Sequence, residues 1–400
     1  MQLSEKHIIN LNHSLYKECD KLCFNSKNIY NRSMFLIKQD YINNNSYDTL
    51  NNLYNVIKNE ECYKLLPPKV AQQTLRNVSS IWKSYFALIK SKKQSHVGEP
   101  KFLNKTNGRF ITTFTNQAIS KKVYDKAHKI KLSQCNIEFY TKVNEFSKIN
   151  CVRIIPRIDS YTIEVIYEID DVERLKSNRT YFSVDLGVNN LAAVTCNKRG
   201  YTPFVINGKP LKSINQYYNK KLSHYKSKLV QNDKKSSRRL KRLTNKRTNK
   251  INDYLHKASN LIVNKMCCED VRCLIIGKND NWKQGSNIGS ANNQNFVNIP
   301  HSRFISMLTY KCEKVGISVR LVNESYTSKC SFLDGESIEK HTEYIGKRIK
   351  RGLFRTSDGS LINADINGSY NIMKKAVPTV FDTNGIEGVV VHPLIITIKN

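Results

Sequence analysis

Three carboxylates stand where α/β domains do chemistry. Asp185 ends a short apolar run, Tyr181–Asp185 (YFSVD), just before Gly187. A strand end fixes the backbone while side chains project into a crevice, which suits a site, although taken alone Asp185 reads better as a cap of the turn 186–190. Glu324 follows a second apolar run, Ile317–Val322, at its carboxyl end, and Asp365 opens a helical segment, NADINGSYNIMKK. Carboxylates at the edges of one sheet can hold two Mg²⁺ ions about 3.5–4 Å apart, which activate water and stabilise the leaving oxygen in phosphodiester hydrolysis. Mg²⁺ suits such a set because it takes few protein carboxylates and keeps positions for phosphate and water.

The surrounding charge names the partner. Lys+Arg number 65 against 33 Asp+Glu, a formal +32 over 400 residues. A charge that large repels itself in a compact state, and a polyanion relieves it. It is densest between 234 and 250, where Lys234, Lys235, Arg238, Arg239, Lys241, Arg242, Lys246, Arg247 and Lys250 occur with no acid, and Leu240 and Leu243 mark an inner stripe. A charge run is usually a solvated face, but nine like charges fit a nucleic-acid duplex lying along a helix better. Lys347, Arg348, Lys350, Arg351 and Arg355 form a second cluster suited to holding the strand being cut. Trp282, beside Lys283 in a polar loop, is a candidate for stacking an unpaired base.

Composition excludes other classes. With 40% hydrophobic and 24% charged residues the chain should fold, and its length suits two or three domains. No run approaches the roughly 18 apolar residues of a membrane span. The N-terminal residues MQLSEKHIINLN hold no apolar signal core, and 11 cysteines without a CxxC pair suit a reducing compartment.

These residues need elements to position them. Residues 11–95 carry helical periodicity with a polar break near Asn43–Ser46. In Arg76–Lys90, Val78, Ile81, Tyr85, Leu88 and Ile89 are expected to share one face. Residues 101–173 turn strand-like, as in Phe110–Phe114 and Tyr161–Tyr167. We therefore read 1–10 and 96–178 as a β-rich lobe, 11–95 as a helical lobe inserted in it, and 179–400 as an α/β domain. That last part reads as three strands (181–185, 191–196, 203–206), one long helical stretch (209–268), a strand (272–276), a helix (301–315), a strand (317–322) and a helix (364–375). This is the element order of an RNase H-like domain.

The segment 182–192, FSVDLGVNNLA, resembles the first RuvC motif of the TnpB proteins, transposon-encoded RNA-guided DNA nucleases related to Fanzor proteins and type V CRISPR effectors. Tyr326-Thr327-Ser328 resembles their YTS segment, and ADINGSYNI at 364–372 resembles their third motif, D-x-N-x-x-x-N-I. The likeness covers about 180–375 well and the N-terminal half in outline. It implies a RuvC-like nuclease domain, a β-barrel-like wedge lobe and a helical recognition lobe. It also implies a guide RNA, double-stranded target DNA, Mg²⁺ at Asp185, Glu324 and Asp365, and, as a further partner, a transposase encoded by the same element.

Two departures matter. The family usually places its second carboxylate directly after the strand read here as 274–276, where this chain has Gly277-Lys278-Asn279-Asp280. A subset moves the glutamate to just before the YTS segment, which makes Glu324 the choice over Asp280, with a dead site as the remaining alternative. An adjacent strand is about 4.8 Å away, within reach of a glutamate. The family's two CxxC pairs are also missing. Cys330 stands alone, with His341 as its one candidate co-ligand and Cys267-Cys268 adjacent rather than spaced, so no zinc is expected. A metal-free loop at 331–352 would replace the ribbon.

The sequence thus reads as an RNA-guided DNA endonuclease of a transposable element. The alternatives are a cleavage-dead guided repressor and an RNase H-like nuclease without a guide. A bacterial cytoplasm is the default location, or the nucleus in a eukaryotic host.

Overall fold

A computed structural model describes residues 1–44, 50–91, 97–279, 299–381 and 389–399. The chain forms two units, Met1–Asp170 and Asp171–Asn400. The polar break at 45–46, Asp280 and Trp282 lie outside the described residues.

In the first unit, Gln2–Asn10 (β1), Thr112–Thr115 (β2), Ile149–Arg157 (β5) and Ser160–Glu168 (β6) form an antiparallel sheet in the order β1-β6-β5-β2, and Lys129–Lys131 (β3) pairs with Glu138–Tyr140 (β4). Among the described residues, β1 and β2 are the edges of the larger sheet. Helices Tyr16–Asn44 (α1), Leu50–Ile57 (α2), Glu61–Lys64 (α3) and Pro68–Ser91 (α4) lie in sequence between β1 and β2, and Lys121–Ala127 (α5) follows. They share one core with the sheet, in which Cys23, Leu75, Phe114 and Ile154 are buried.

The α4 face differs from the expected one. Val78 is buried, but Leu88 and Ile89 are 44% and 43% exposed. The buried line instead runs from Thr74 and Leu75 through Val78 to Trp82, whose indole N–H donates to Met34 Sδ of α1 at 3.1 Å. The largest side chain sets which stripe packs inward, and Leu88 and Ile89 near the end of the helix are left exposed.

The second unit holds a six-stranded sheet made of Tyr181–Leu186 (β7), Asn190–Cys196 (β8), Phe204–Asn207 (β9), Cys273–Gly277 (β10), Ser318–Val322 (β11) and Leu394–Ile396 (β15). Their order is β11-β10-β7-β8-β9-β15. The first three strands are antiparallel neighbours, and β10 and β11 continue in parallel on the other side of β7. β10 reads CLIIG, apolar throughout, because parallel strands are covered on both faces.

The long helical stretch is two helices, Lys209–Gln231 (α6) and Arg238–Cys268 (α7), broken at 232–237 and packed as a hairpin. Asn232 terminates the first, and Ser237 Oγ caps the second by accepting from Leu240 N–H at 3.2 Å. Residues 331–346 are irregular, but the expected loop ends there. Lys347–Lys350 (β12), Leu353–Arg355 (β13) and Leu361–Asn363 (β14) make a small antiparallel meander.

Alternation along β7 sorts the two cores. Phe182, Val184 and Leu186 face the layer of α7 and His301–Glu313 (α8). Tyr181 packs on the opposite face with Ile366, Tyr370 and Ile372 of Ala364–Ala376 (α9). Asp185 shares the parity of Tyr181 and so points toward α9.

Candidate active site

The C-terminal end of β7 brings Asp185 under α9. Approach is close because residue 368 is glycine, where a Cβ would stand 2.7 Å from Asp185 Oδ2. Beneath the carboxylate, Ser183, Thr195 and Ser369 form a buried hydroxyl triangle, with Oγ–Oγ1 and Oγ–Oγ separations of 2.8–3.0 Å. Ser183 Oγ also donates to the Ser369 carbonyl. This lattice ties α9 to β7 and β8, and no single rotamer can move without breaking two bonds.

Asp365 lies in the first turn of α9, where Asn363 Oδ1 accepts from its backbone N–H at 3.0 Å. Its own Oδ2 accepts from Asn190 Nδ2 at 2.7 Å, and Arg348 Nη2 stands 3.6 Å from its Oδ1. Glu324 follows β11 by two residues. Asn279 holds it twice, accepting from the Glu324 N–H at 3.1 Å and donating to its Oε1 at 3.2 Å. Glu324 Oε2 is buried, with no hydrogen-bond partner among the described residues. At Gly277 on the neighbouring strand, a Cβ would come within 3.0 Å of that oxygen.

Asp185 feels the other two groups. Burial, and then the charges of Glu324 and Asp365, hold the Asp185 carboxyl well above the ordinary carboxylate range, with Arg348 opposing. Burial also raises Glu324. A buried carboxyl raised by two neighbouring carboxylates marks a place where charge is meant to be neutralised by something else.

The donors are all oxygen, two carboxyls are pushed up, and one buried oxygen lacks a partner. That set fits a hard divalent cation such as Mg²⁺. Among the described residues, no three His, Cys, Asp or Glu side chains enclose a single ion. Mg²⁺ asks less, since one or two carboxylates per ion suffice when phosphate and water fill the remaining positions.

Two asparagines of the third motif, given no role of their own in the sequence reading, fix this geometry. Asn367 Nδ2 donates to the Cys330 carbonyl at 2.9 Å, and its Oδ1 accepts from Phe332 N–H at 2.9 Å. Asn371, one turn on, donates to the carbonyls of Thr327 and Cys330 at 2.9 and 2.8 Å. The two asparagines of the D-x-N-x-x-x-N pattern therefore clamp the segment that follows Glu324. Their i, i+4 spacing was the available signal. Cys330 is buried, and its thiol donates to the Glu339 carbonyl at 3.7 Å. His341 Nε2 lies 2.8 Å from Ser337 O.

The basic clusters divide. Lys234 and Lys235 sit in the turn of the α6–α7 hairpin and, with Arg238, Arg239, Lys241, Arg242, Lys246 and Lys250, are exposed. Arg247 is half-buried, donating to Asn215 Oδ1 at 2.7 Å and lying 5.0 Å over the Tyr218 ring. Lys347, Lys350, Arg351 and Arg355 are exposed on the small meander, whereas its Arg348 reaches the carboxylates. In the first unit, Lys69, Gln72, Gln73 and Arg76 of α4 and Asn116, Gln117 and Asn150 border a groove of about 440 Å³.

Residues 164–283 match the OrfB_IS605 family, described as a probable transposase, and residues 301–372 match the Cas12f1-like TNB domain. These two adjacent matches carry the resemblance to the TnpB family across the segments that hold Asp185, Glu324 and Asp365. No curated protein matches in sequence. Among solved structures, the mini RNA-guided endonuclease Cas-phi3 is 10% identical, covering 94% of this chain and 92% of that one with a TM-score of 0.51, a likeness of fold. A Cas12f1 complex with guide RNA and target DNA is 15% identical over 94% of this chain and 100% of that one, with a TM-score of 0.35.

Proposed function

We propose that the chain is an RNA-guided DNA endonuclease of the TnpB type, with the second unit as its RuvC-like nuclease domain. The observation that carries this reading is the placement of Asp185, Glu324 and Asp365 at one end of the β11-β10-β7 edge, close enough for the latter two to raise the first. Asp185, Glu324 and Asp365 would hold two Mg²⁺ ions, which when bound supply an activated water and neutralise charge on the leaving oxygen.

The chain's own residues do the rest. Asn190 orients Asp365 and Asn279 orients Glu324, so that each carboxylate presents a fixed oxygen to the cleft. Arg348 lies on the open side of Asp365 and offers a phosphate a charge-assisted donor as the strand enters. Asn367 and Asn371 keep the Tyr326–Phe332 segment against α9, which fixes Glu324 in turn. One such site would cut two strands in succession.

Sequence choice is assigned to base pairing with a guide RNA, with the protein reading a short flanking motif. The groove beside α4 suits the motif, because amide side chains match adenine edges and Arg76 matches guanine in the major groove. The exposed bases of the α6–α7 hairpin suit duplex phosphates.

Sequencing the RNA that copurifies with the full-length protein tests the guided reading. One defined transcript, whose variable end directs binding to a matching DNA duplex, is the expected result. Bulk cellular RNA with no directing effect would leave an unguided nuclease.

A further inference from the structure

The α6–α7 hairpin holds a cleft of about 510 Å³ that has no part in the carboxylate site. This volume falls in the range of pockets for single small ligands, roughly 300–1,000 Å³. Its floor is apolar, from Ile214 on α6 and Leu243 on α7. Tyr217 forms one wall and is 60% exposed, with Lys221 Nζ 6.0 Å from its ring centroid. Lys246 and Lys250 stand at the rim one turn apart, and none of the lining residues is acidic. Arg247 completes the lining, its guanidinium held by Asn215 Oδ1 and the Tyr218 ring.

The combination is chemically selective. A flat aromatic wall over an aliphatic floor takes a planar ring, and two lysines one helical turn apart take the phosphates that flank it. A paired base has both faces covered by its neighbours and cannot enter, so the ring must come from an unpaired nucleotide. The exposed basic residues at 234–250 of the same hairpin suit a nucleic-acid backbone alongside, which argues for a polynucleotide over a free nucleotide.

We infer that this cleft receives one unpaired nucleotide of the bound RNA, with the base stacked on Tyr217 and the adjoining phosphates on Lys246 and Lys250. The cleft would then fix the register of the RNA on the hairpin, as a bulged base fixes a strand that phosphate contacts alone would let slide. This rests on the reading that the protein carries RNA, and goes beyond it by naming where one base is held.

The full-length protein, copurified with its RNA, is irradiated at 254 nm and its peptides are analysed by mass spectrometry. A ribonucleotide adduct on Tyr217 is expected. In a second arm, RNA-stripped protein is titrated with fluorescent rU8 and dT8. Tyr217→Ala is expected to weaken rU8 binding roughly tenfold, which corresponds to the loss of one stacked base, while Tyr217→Phe retains it. Circular dichroism of the variants checks that the hairpin is intact.

An adduct elsewhere with Tyr217 unmodified, or equal rU8 affinity for wild type and Tyr217→Ala, would overturn the inference. Dependence on Tyr217 for dT8 alone would overturn it in favour of single-stranded DNA. Copurification of bulk RNA without a directing sequence would sink the guided reading, yet the rU8 arm would still decide the cleft.

Discussion

Gly368 lies so close to Asp185 that a methyl group in place of its hydrogen would stand 2.7 Å from the carboxylate oxygen. Alanine at a helical glycine is ordinarily favourable by up to about 1 kcal/mol. Here it must push α9 or the carboxylate aside. Gly368→Ala should cost about 1–3 kcal/mol of stability, as overpacking does, and lower DNA cleavage by about 100-fold through misplacement of Asp185. Thermal melting and a cleavage time course check both; faster or unchanged cutting would show that α9 tolerates the shift.

The raised carboxyl of Asp185 has a consequence for metal-free protein. The folded state keeps a proton that the unfolded chain, with a carboxyl near 3.9, releases. Stability from this group is therefore greatest at acid pH and declines as pH rises from the unfolded value toward the raised folded one. Asp185→Asn removes the burden. In EDTA its Tm should exceed that of wild type at about pH 8, and the gap should close near pH 4. A gap independent of pH would mean that the charge is not the cause.

How much of this was legible in the sequence depends on what each residue touches. Strands β7, β8, β10 and β11 were readable because each is a short apolar run closed by polar residues. The break at 232–237 was not, because Asn232-Asp233-Lys234-Lys235 contains neither proline nor glycine and continues the polar face of its helices. The meander at 347–363 escaped for a similar reason: β12 is KRIK, exposed at every position, and pairing rather than burial makes it a strand. Leu88 and Ile89 misled because periodicity cannot tell how far along a helix the packing continues. Asp185 and Asp365 could be proposed from position alone. Asn279, Asn190 and Arg348 could not, since their roles exist only once strands far apart in sequence are neighbours.

Asn279 supplies the next test. It bonds both the backbone and the side chain of Glu324, and supporting partners of this kind are typically worth 10–100-fold in metal affinity. Asn279→Ala should raise the Mg²⁺ concentration for half-maximal cleavage by roughly that factor, with saturating Mg²⁺ restoring much of the rate. A drop in rate that Mg²⁺ does not restore would assign Asn279 a different role.

The exposed bases of the hairpin predict a salt effect. Replacing Lys234, Arg238 and Lys241 by alanine should weaken RNA binding and reduce the slope of log K against log salt by roughly one for each phosphate that is no longer neutralised. Binding isotherms at several salt concentrations measure this. A weaker affinity with an unchanged slope would mean that these residues act through folding rather than through phosphates.

The central assignment is that Glu324, after β11, completes the site with Asp185 and Asp365. Its direct test is plasmid cleavage in Mg²⁺ by the protein copurified with its RNA, comparing wild type with Glu324→Ala and Asp280→Ala. Cutting by wild type and by Asp280→Ala, with loss in Glu324→Ala while target binding persists, is the expected result. Cutting that survives Glu324→Ala but is lost in Asp280→Ala would contradict the assignment, and guided binding without any cutting by wild type would contradict the nuclease reading itself.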